Sequence, residues 1–309
     1  MIHDLEIRIN QLKKEKDAVI LAHYYQQPEI QDIADKVADS LDLSRYVQNC
    51  DHSLIVFAGV YFMGEVAKIL APDKKIIVPE VLAGCDLEKA CQYEQFRSFI
   101  DTYPGHVVVS YINSSAEVKS LSDVVVTSSN AEKIINSLPE ELPIIFAPDK
   151  NLGDFLIRKT GRKMLLWEGV CHVHESFDWK KISTLLQQDP SYRLVAHPEC
   201  DPEVLELADF VGSTSNILNY VQQSRAAKFI VATEKGALHQ AGRNMPEKQL
   251  VLAPPKTGHP NQQGICADMK MVTLEKIYLS LKKESYEVDL SDDLLRKARR
   301  PLHKMLALS

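Results

Sequence analysis

A segment that occurs three times constrains the fold of this chain more than any other feature. Three apolar stretches align without gaps: VILAHYY at 19–25, VVVSYIN at 107–113 and RLVAHPE at 193–199. Short apolar runs of this kind, bounded by turn residues, are typical of buried parallel strands. Because an internal repeat governs the architecture of a whole chain, we expect three similar units.

Polar residues occupy matching positions in the three copies. The aligned strand ends carry His23, Tyr111 and His197, and two residues later stand Tyr25, Asn113 and Glu199. A hydroxyl follows 17 residues after each strand end (23 to 40, 111 to 128, 197 to 214), as Ser40, Ser128 and Thr214. Each hydroxyl precedes a helix-like apolar spacing, and helix N-termini favour anions. The hydroxyls are therefore either helix caps or partners for the oxygens of a small acidic substrate.

Each copy also closes on a cysteine, at Cys85, Cys171 and Cys266. From cysteine to the next strand end is 26 residues in both countable cases (85 to 111, 171 to 197). Parallel α/β sheets bind ligands beyond the carboxyl ends of their strands, so three units around an approximate three-fold axis would bring these cysteines together. Three thiolates suit zinc with an open fourth position, or a four-iron four-sulfur cluster with one iron that lacks a protein ligand. Three unconnected buried thiols are the alternative. His172 and His174 have no counterparts in the other copies and are weaker metal candidates.

The coarse fold prediction is a β-helix-β unit of roughly 85 to 95 residues, used three times. Alternating strands and helices predict parallel sheets covered on both faces, with right-handed crossovers. The predicted units are 1–98 with an N-terminal helix, 99–185, and 186–309 with the C-terminal helices.

Composition narrows the functional classes. A net charge of -6 and a pI near 5.9 give no footprint for nucleic acid or for an anionic membrane. The N-terminus lacks the apolar core of a signal peptide, and no apolar run approaches the roughly 20 residues that span a bilayer. We therefore expect a cytoplasmic protein with reduced cysteines, whose partners are small molecules.

Eight motifs carry a family resemblance. They are AHYYQ (22–26), YINSSAEVK (111–119), TSSNA (127–131), FAPDKNLG (146–153), WEGVCHVH (167–174), HPEC (197–200), GSTS (212–215) and GICADMKM (264–271). Together they cover nearly the whole chain and resemble the quinolinate synthase A family. The resemblance implies three homologous α/β/α, Rossmann-like domains in a triangular, pseudo-three-fold arrangement around a central site. It also implies condensation of iminoaspartate with dihydroxyacetone phosphate to quinolinate, with loss of phosphate and two waters, in de novo NAD biosynthesis. A separate aspartate-oxidising enzyme would supply the iminoaspartate.

By the same resemblance, Cys85, Cys171 and Cys266 would bind a [4Fe-4S] cluster with one open iron. The catalytic residues would be Tyr25, Tyr111, His197 and Glu199. The substrate-binding residues would be His23, Ser40, Tyr111, Ile112, Asn113, Ser128, His197, Pro198, Glu199 and Thr214. Two alternatives stay open: a cluster-dependent hydro-lyase acting on another small di-acid, and a regulatory iron-sulfur sensor.

Overall fold

Three parallel sheets of four strands each form in the part of the chain that the computed structural model describes, residues 2–261 and 263–309. All three have the same order, in which the first strand of the unit lies between its second and third and the fourth lies outermost beside the third. The strands of the first sheet are β1 Ala18–His23, β2 Lys36–Ala38, β3 Leu54–Ala58 and β4 Lys75–Ile77. Those of the second are β5 Val107–Tyr111, β6 Val124–Val126, β7 Ile144–Ala147 and β8 Met164–Leu166. Those of the third are β9 Tyr192–Ala196, β10 Phe210–Val211, β11 Lys228–Ala232 and β12 Gln249–Leu252.

The first strand of each unit explains why these sheets form. In β1 every residue is buried, and in β5 and β9 burial is complete towards the carboxyl end. A continuous apolar run suits a strand that is covered on both faces. The predicted α/β class with three parallel sheets is confirmed, and each sheet lies inside one of the three predicted ranges. The exact domain edges stay a prediction.

Helices alternate with these strands. In the first unit they are α1 Ile2–Glu15, α2 Pro28–Ile33, α3 Ser40–Gln48, α4 Tyr61–Leu70, α5 Asp86–Ala90 and α6 Tyr93–Thr102. In the second they are α7 Ala116–Ser120, α8 Ala131–Ser137, α9 Lys150–Thr160, a 3-10 turn His174–Ser176 and α10 Trp179–Gln188. In the third they are α11 Pro202–Leu207, α12 Thr214–Gln223, α13 Ala237–Asn244, α14 Ala267–Lys270, α15 Leu274–Lys283 and α16 Asp292–Leu308.

The two last helices pack away from the sheet that precedes them. Helix α15 lies against α1 and β3 of the first unit, and α16 lies against α4, α7, α8 and β6. Leu302 and Met305 of α16 are fully buried in an apolar core shared by the first two units. The sequence prediction grouped these helices with the third repeat. Their apolar faces join the chain's end to its first two units.

The part of the chain that the structure describes includes no helix whose length and apolar character would let it cross a membrane.

Candidate active site

One cavity is lined by residues of all three units, at the place where the carboxyl ends of their strands meet. The predicted residues that line it are His23, Tyr25, Ser40, Cys85, Tyr111, Asn113, Ser128, Cys171, His197, Glu199, Thr214 and Cys266. The structure thus brings together the three repeat-equivalent sets that the sequence analysis aligned. Ile112 and Pro198, both among the described residues, lie outside this lining and are buried. Their substrate contacts, like the roles of the lining residues, stay predictions.

The two strand-end histidines are held in the same way. The backbone N–H of Tyr25 donates to His23 Nδ1 at 3.2 Å, and that of Glu199 donates to His197 Nδ1 at 3.4 Å. With Nδ1 as an acceptor, Nε2 carries the ring proton. Burial lowers the pKa of His23 to about 4 and that of His197 to about 3. Both rings are therefore neutral N–H donors near pH 7, and His197 Nε2 lies 3.2 Å from Ser128 Oγ.

A chain of hydrogen bonds crosses the cavity wall and links the three units. Tyr111 Oη donates to Glu199 Oε1 at 2.6 Å, and His174 Nδ1 lies 2.9 Å from Glu199 Oε2. On its other side His174 Nε2 lies 3.1 Å from Thr233 Oγ1, which lies 2.9 Å from Tyr25 Oη. Since hydroxyls and a neutral imidazole can each donate and accept, this chain offers a continuous route for a proton.

The carboxyl group of Glu199 is ionised in this chain. Burial alone would raise its pKa, but the hydrogen bonds that His174 and Tyr111 donate to the carboxylate lower the pKa below its usual value. Burial and the Glu199 charge raise the pKa values of Tyr25 and Tyr111 well above their usual range. At neutral pH the wall therefore holds one carboxylate base between protonated phenols.

The helix-cap alternative for the hydroxyls is wrong in the first and third units. Asp39 caps α3 by accepting from the backbone N–H of Asp42, and Ser213 caps α12 by accepting from that of Asn216. In the second unit the helix begins three residues after Ser128, at Ala131. Ser40, Ser128 and Thr214 line the cavity and are not the N-cap residues of these helices.

The capping residues form a link between units. Ser129 Oγ donates to Asp39 Oδ2 at 2.9 Å and lies 2.7 Å from Ser213 Oγ. Residues of the first, second and third units thus meet in one polar contact. This contact fixes the spacing of the predicted anion-binding hydroxyls.

The three cavity cysteines have a common local geometry. Backbone N–H groups two or three residues further on point at each sulfur: those of Leu87 and Glu88, of His174, and of Met269. These contacts favour thiolates, but burial outweighs them and raises the pKa of all three thiols, that of Cys266 to about 12. A buried thiolate at these positions needs a cation, which a bound metal group would supply.

The spacing of the sulfurs bears on which kind of metal group they could hold. In the described part of the chain, Cys171, His174 and Glu199 form the one group whose three ligand atoms lie within 4.8 Å of one another. The three cysteine sulfurs do not form such a group, so they are too widely spaced for one ion. Soft donors arranged widely around a cavity fit a larger metal group.

A junction between the third and first units lies behind Cys266. The carboxylate of Glu234, fully buried, accepts from the backbone N–H of Cys266 at 3.1 Å and pairs with Lys270 Nζ at 2.9 Å. Lys270 Nζ also donates to the backbone carbonyl of Tyr25. A Cβ on Gly236 would come within 2.8 Å of Tyr24 O, so the two backbones touch here. These contacts hold Cys266 and Tyr25 close to one another.

The repeat gave no prediction for Thr233, and His174 was predicted only as a weaker metal candidate. Thr233 follows Ala232, whose sheet counterparts Ala58 and Ala147 are followed by Gly59 and Pro148. A polar residue whose equivalents are apolar gives no signal in a search for matching positions. The threonine's place directly after a buried strand was the one signal that could have found it.

The fold and the site together define a three-unit α/β protein. Its cavity is lined by three thiols and by one equivalent segment from each unit. The family model described as quinolinate synthetase A protein matches residues 7–307. The chain belongs to this family, which confirms the resemblance seen in the motifs, and it is an enzyme.

Curated relatives match along almost their whole length. Quinolinate synthase of Gloeothece citriformis is 48% identical over 307 residues, 99% of this chain and 94% of the relative. The quinolinate synthase of Rippkaea orientalis gives the same identity and coverage. That of Thermosynechococcus vestitus is 48% identical over 306 residues, 99% of this chain and 96% of the relative.

Proposed function

We propose that this enzyme condenses iminoaspartate with dihydroxyacetone phosphate to form quinolinate, with release of phosphate and two waters. The observation that carries the proposal is the meeting of three equivalent strand ends and three equivalent cysteines at one cavity. Family membership supports the same reaction. The product contains all seven carbons of the two substrates, so the cavity must hold both of them at once.

The cysteines Cys85, Cys171 and Cys266 are proposed to hold a [4Fe-4S] cluster. Their soft donors, burial and wide spacing fit a group of this size. When bound, the cluster would supply an iron without a protein ligand as a Lewis acid for loss of water.

Neutral donors of the cavity are proposed to bind the substrates' carboxylate and phosphate groups. Ser40 and Thr214 lie at the first residues of α3 and α12, where helix N–H groups and dipoles favour anions. His23 and His197 offer Nε2–H groups, and Asn113 offers an amide. Hydrogen bonds to charged oxygens are stronger than those between neutral groups, so few donors suffice to orient two small anions.

Proton transfer is assigned to the hydrogen-bonded wall. Glu199 is the proposed base, since it is ionised and faces the cavity. Tyr111 and Tyr25 are the proposed donors, and the path through His174 and Thr233 would return protons between them. His197 is proposed to orient the substrate as an N–H donor and to assist these transfers.

The reaction places the enzyme in de novo NAD biosynthesis, in keeping with the family name. Iminoaspartate is aspartate that has lost two electrons and two protons, so an aspartate-oxidising enzyme is proposed as its source. The cytoplasmic location expected from the sequence stays a prediction.

Product analysis tests the proposed reaction. The enzyme would be prepared and loaded with iron and sulfide without oxygen, then given iminoaspartate and dihydroxyacetone phosphate, and quinolinate and phosphate would be quantified. We expect equal amounts of the two products. Dehydration of another small di-acid without quinolinate would favour a hydro-lyase, and no turnover of any of these acids would favour a sensor.

A further inference from the structure

A second donor set lies beside the three cysteines. Cys171 Sγ lies 3.3 Å from His174 Nδ1, which lies 2.9 Å from Glu199 Oε2. The side chains of His174 and Glu199 are 2% and 3% exposed. Sulfur, imidazole nitrogen and carboxylate oxygen are the donors that zinc takes in proteins.

The spacing of these atoms suits one ion. Ligand atoms of a tetrahedral zinc, each about 2.0 to 2.3 Å from the metal, lie roughly 3 to 4 Å apart. The three donors are within 4.8 Å of one another as they stand. The cysteine sulfurs alone do not come this close, so one cavity wall holds a set suited to a single ion and a set suited to a larger group.

The neighbours of this donor set would support a metal. Thr233 Oγ1 lies 3.1 Å from His174 Nε2, and Tyr111 Oη donates to the other carboxylate oxygen of Glu199 at 2.6 Å. Partners of this kind orient metal-binding imidazoles and carboxylates. The metal would take the place of the proton on His174 Nδ1, and the imidazole would keep its proton on Nε2 and donate it to Thr233 Oγ1. The Cys171 thiol would release its proton.

We propose that, in the chain without its cluster, Cys171, His174 and Glu199 bind one Zn²⁺ ion, with the fourth position facing the cavity. Cys171 belongs to both donor sets, so zinc at this site excludes the cluster. This second consequence rests on the proposed cluster, whereas the zinc site itself does not.

Cobalt titration tests the site without any turnover. Full-length chain prepared without iron would be titrated anaerobically with Co²⁺, which reports tetrahedral geometry by visible bands and a thiolate ligand by near-ultraviolet absorption. We expect one Co²⁺ per chain, displaced by Zn²⁺. Cys171→Ala and His174→Gln should weaken binding at least tenfold, whereas Cys85→Ala and Cys266→Ala should leave it within twofold.

The matched cysteine variants keep the test decisive even if one variant misfolds. Signal loss in Cys85→Ala or Cys266→Ala, with full binding in a folded His174→Gln chain, would place the ion among the three cysteines and overturn the proposal. Absence of cobalt binding in the unaltered chain would overturn it as well.

A competition experiment separates the zinc site from the proposed function. Zn²⁺ added before iron and sulfide should suppress cluster assembly in the unaltered chain and much less in His174→Gln. Cobalt binding as expected, with cluster assembly untouched by zinc, would refute the shared role of Cys171. A chain that takes up no iron would count against the proposed cofactor, while the cobalt result would still decide the site.

Discussion

Glu199 is the residue on which the proposed chemistry of the cavity most depends. It is buried, it is ionised, and it accepts hydrogen bonds from Tyr111 and His174 of the second unit. Its position was predictable because it follows a repeated strand end. Its ionised state was not, since that depends on neighbours far away in the sequence.

Glu199→Gln should lower kcat by about 10²- to 10⁴-fold, the usual contribution of a general base. The amide keeps the shape of the side chain but cannot take a proton. Quinolinate formation would be measured under saturating substrates, with iron content checked in the same samples. The exposed Glu206→Gln is the matched control and should turn over normally. A Glu199→Gln enzyme that keeps normal kcat would remove this residue from proton transfer.

Thr233 and His174 show where residue-level prediction stops. Both act in the hydrogen-bond chain because the fold brings them beside Tyr25 and Glu199. Their counterparts in other repeats do not share their chemistry. A repeat predicts residues that occupy equivalent positions in each unit. It does not predict residues, such as Thr233 and His174, that differ between the units.

At the scale of elements, the ends of strands and helices were predictable and their caps were not. The hydroxyls stand at or near the helix starts as expected, but Asp39 and Ser213 carry out the capping. The packing of α16 against the first two units was also not predictable, because an amphipathic helix shows which face is apolar and not what covers that face.

The junction between α14 and the end of β1 gives an element-scale prediction. Lys270→Met removes the cation that joins Glu234 to the backbone of Tyr25. Breaking a buried pair leaves an uncompensated carboxylate and costs about 3 kcal/mol or more. Urea unfolding would measure this loss. We also expect kcat to fall by more than KM changes, because Tyr25 loses its position.

Lys276→Met is the matched control for this junction. Lys276 also joins a carboxylate, Glu80, to a backbone carbonyl, that of Met271, but neither of these partners lines the cavity. It should change stability by less than about 1 kcal/mol, since the lysine of this pair is partly exposed to solvent. Equal effects of the two substitutions would show that Lys270 has no special positioning role.

At the scale of the whole molecule, buried histidines make stability depend on pH. Below about pH 6.5 an unfolded chain protonates its histidines, whereas burial lowers the folded pKa values of His23 and His197 to about 4 and about 3. The unfolded state then binds more protons, so stability is complete above pH 6.5 and falls as pH decreases towards 4. Each histidine contributes up to about 1.4 kcal/mol per pH unit in this window.

Urea unfolding from pH 7.5 to 4.5 would measure this dependence. His197→Gln should flatten the decline, and His303→Gln, exposed on α16, should leave it unchanged. A decline that is as steep in His197→Gln as in the unaltered chain would contradict the assignment of a neutral, buried His197.

The meeting of the three units was foreseeable from equal spacings alone, because equivalent strand ends of packed parallel sheets face a common centre. The particular contacts that close the centre were not. The polar contact of Asp39, Ser129 and Ser213 and the Glu234–Lys270 junction join residues with no shared sequence pattern. Such contacts are set by the packing of units, which no single repeat encodes.

The central claim is that three equivalent cysteines hold one cluster and that the same cavity makes quinolinate. The most direct measurement is iron and sulfide per chain, together with quinolinate formed, in anaerobic preparations of the unaltered enzyme, Cys171→Ala and the control Cys50→Ala. We predict about four irons and four sulfides with quinolinate formation in the first and third, and the loss of both in Cys171→Ala. Full iron content or full quinolinate formation in Cys171→Ala would contradict the claim.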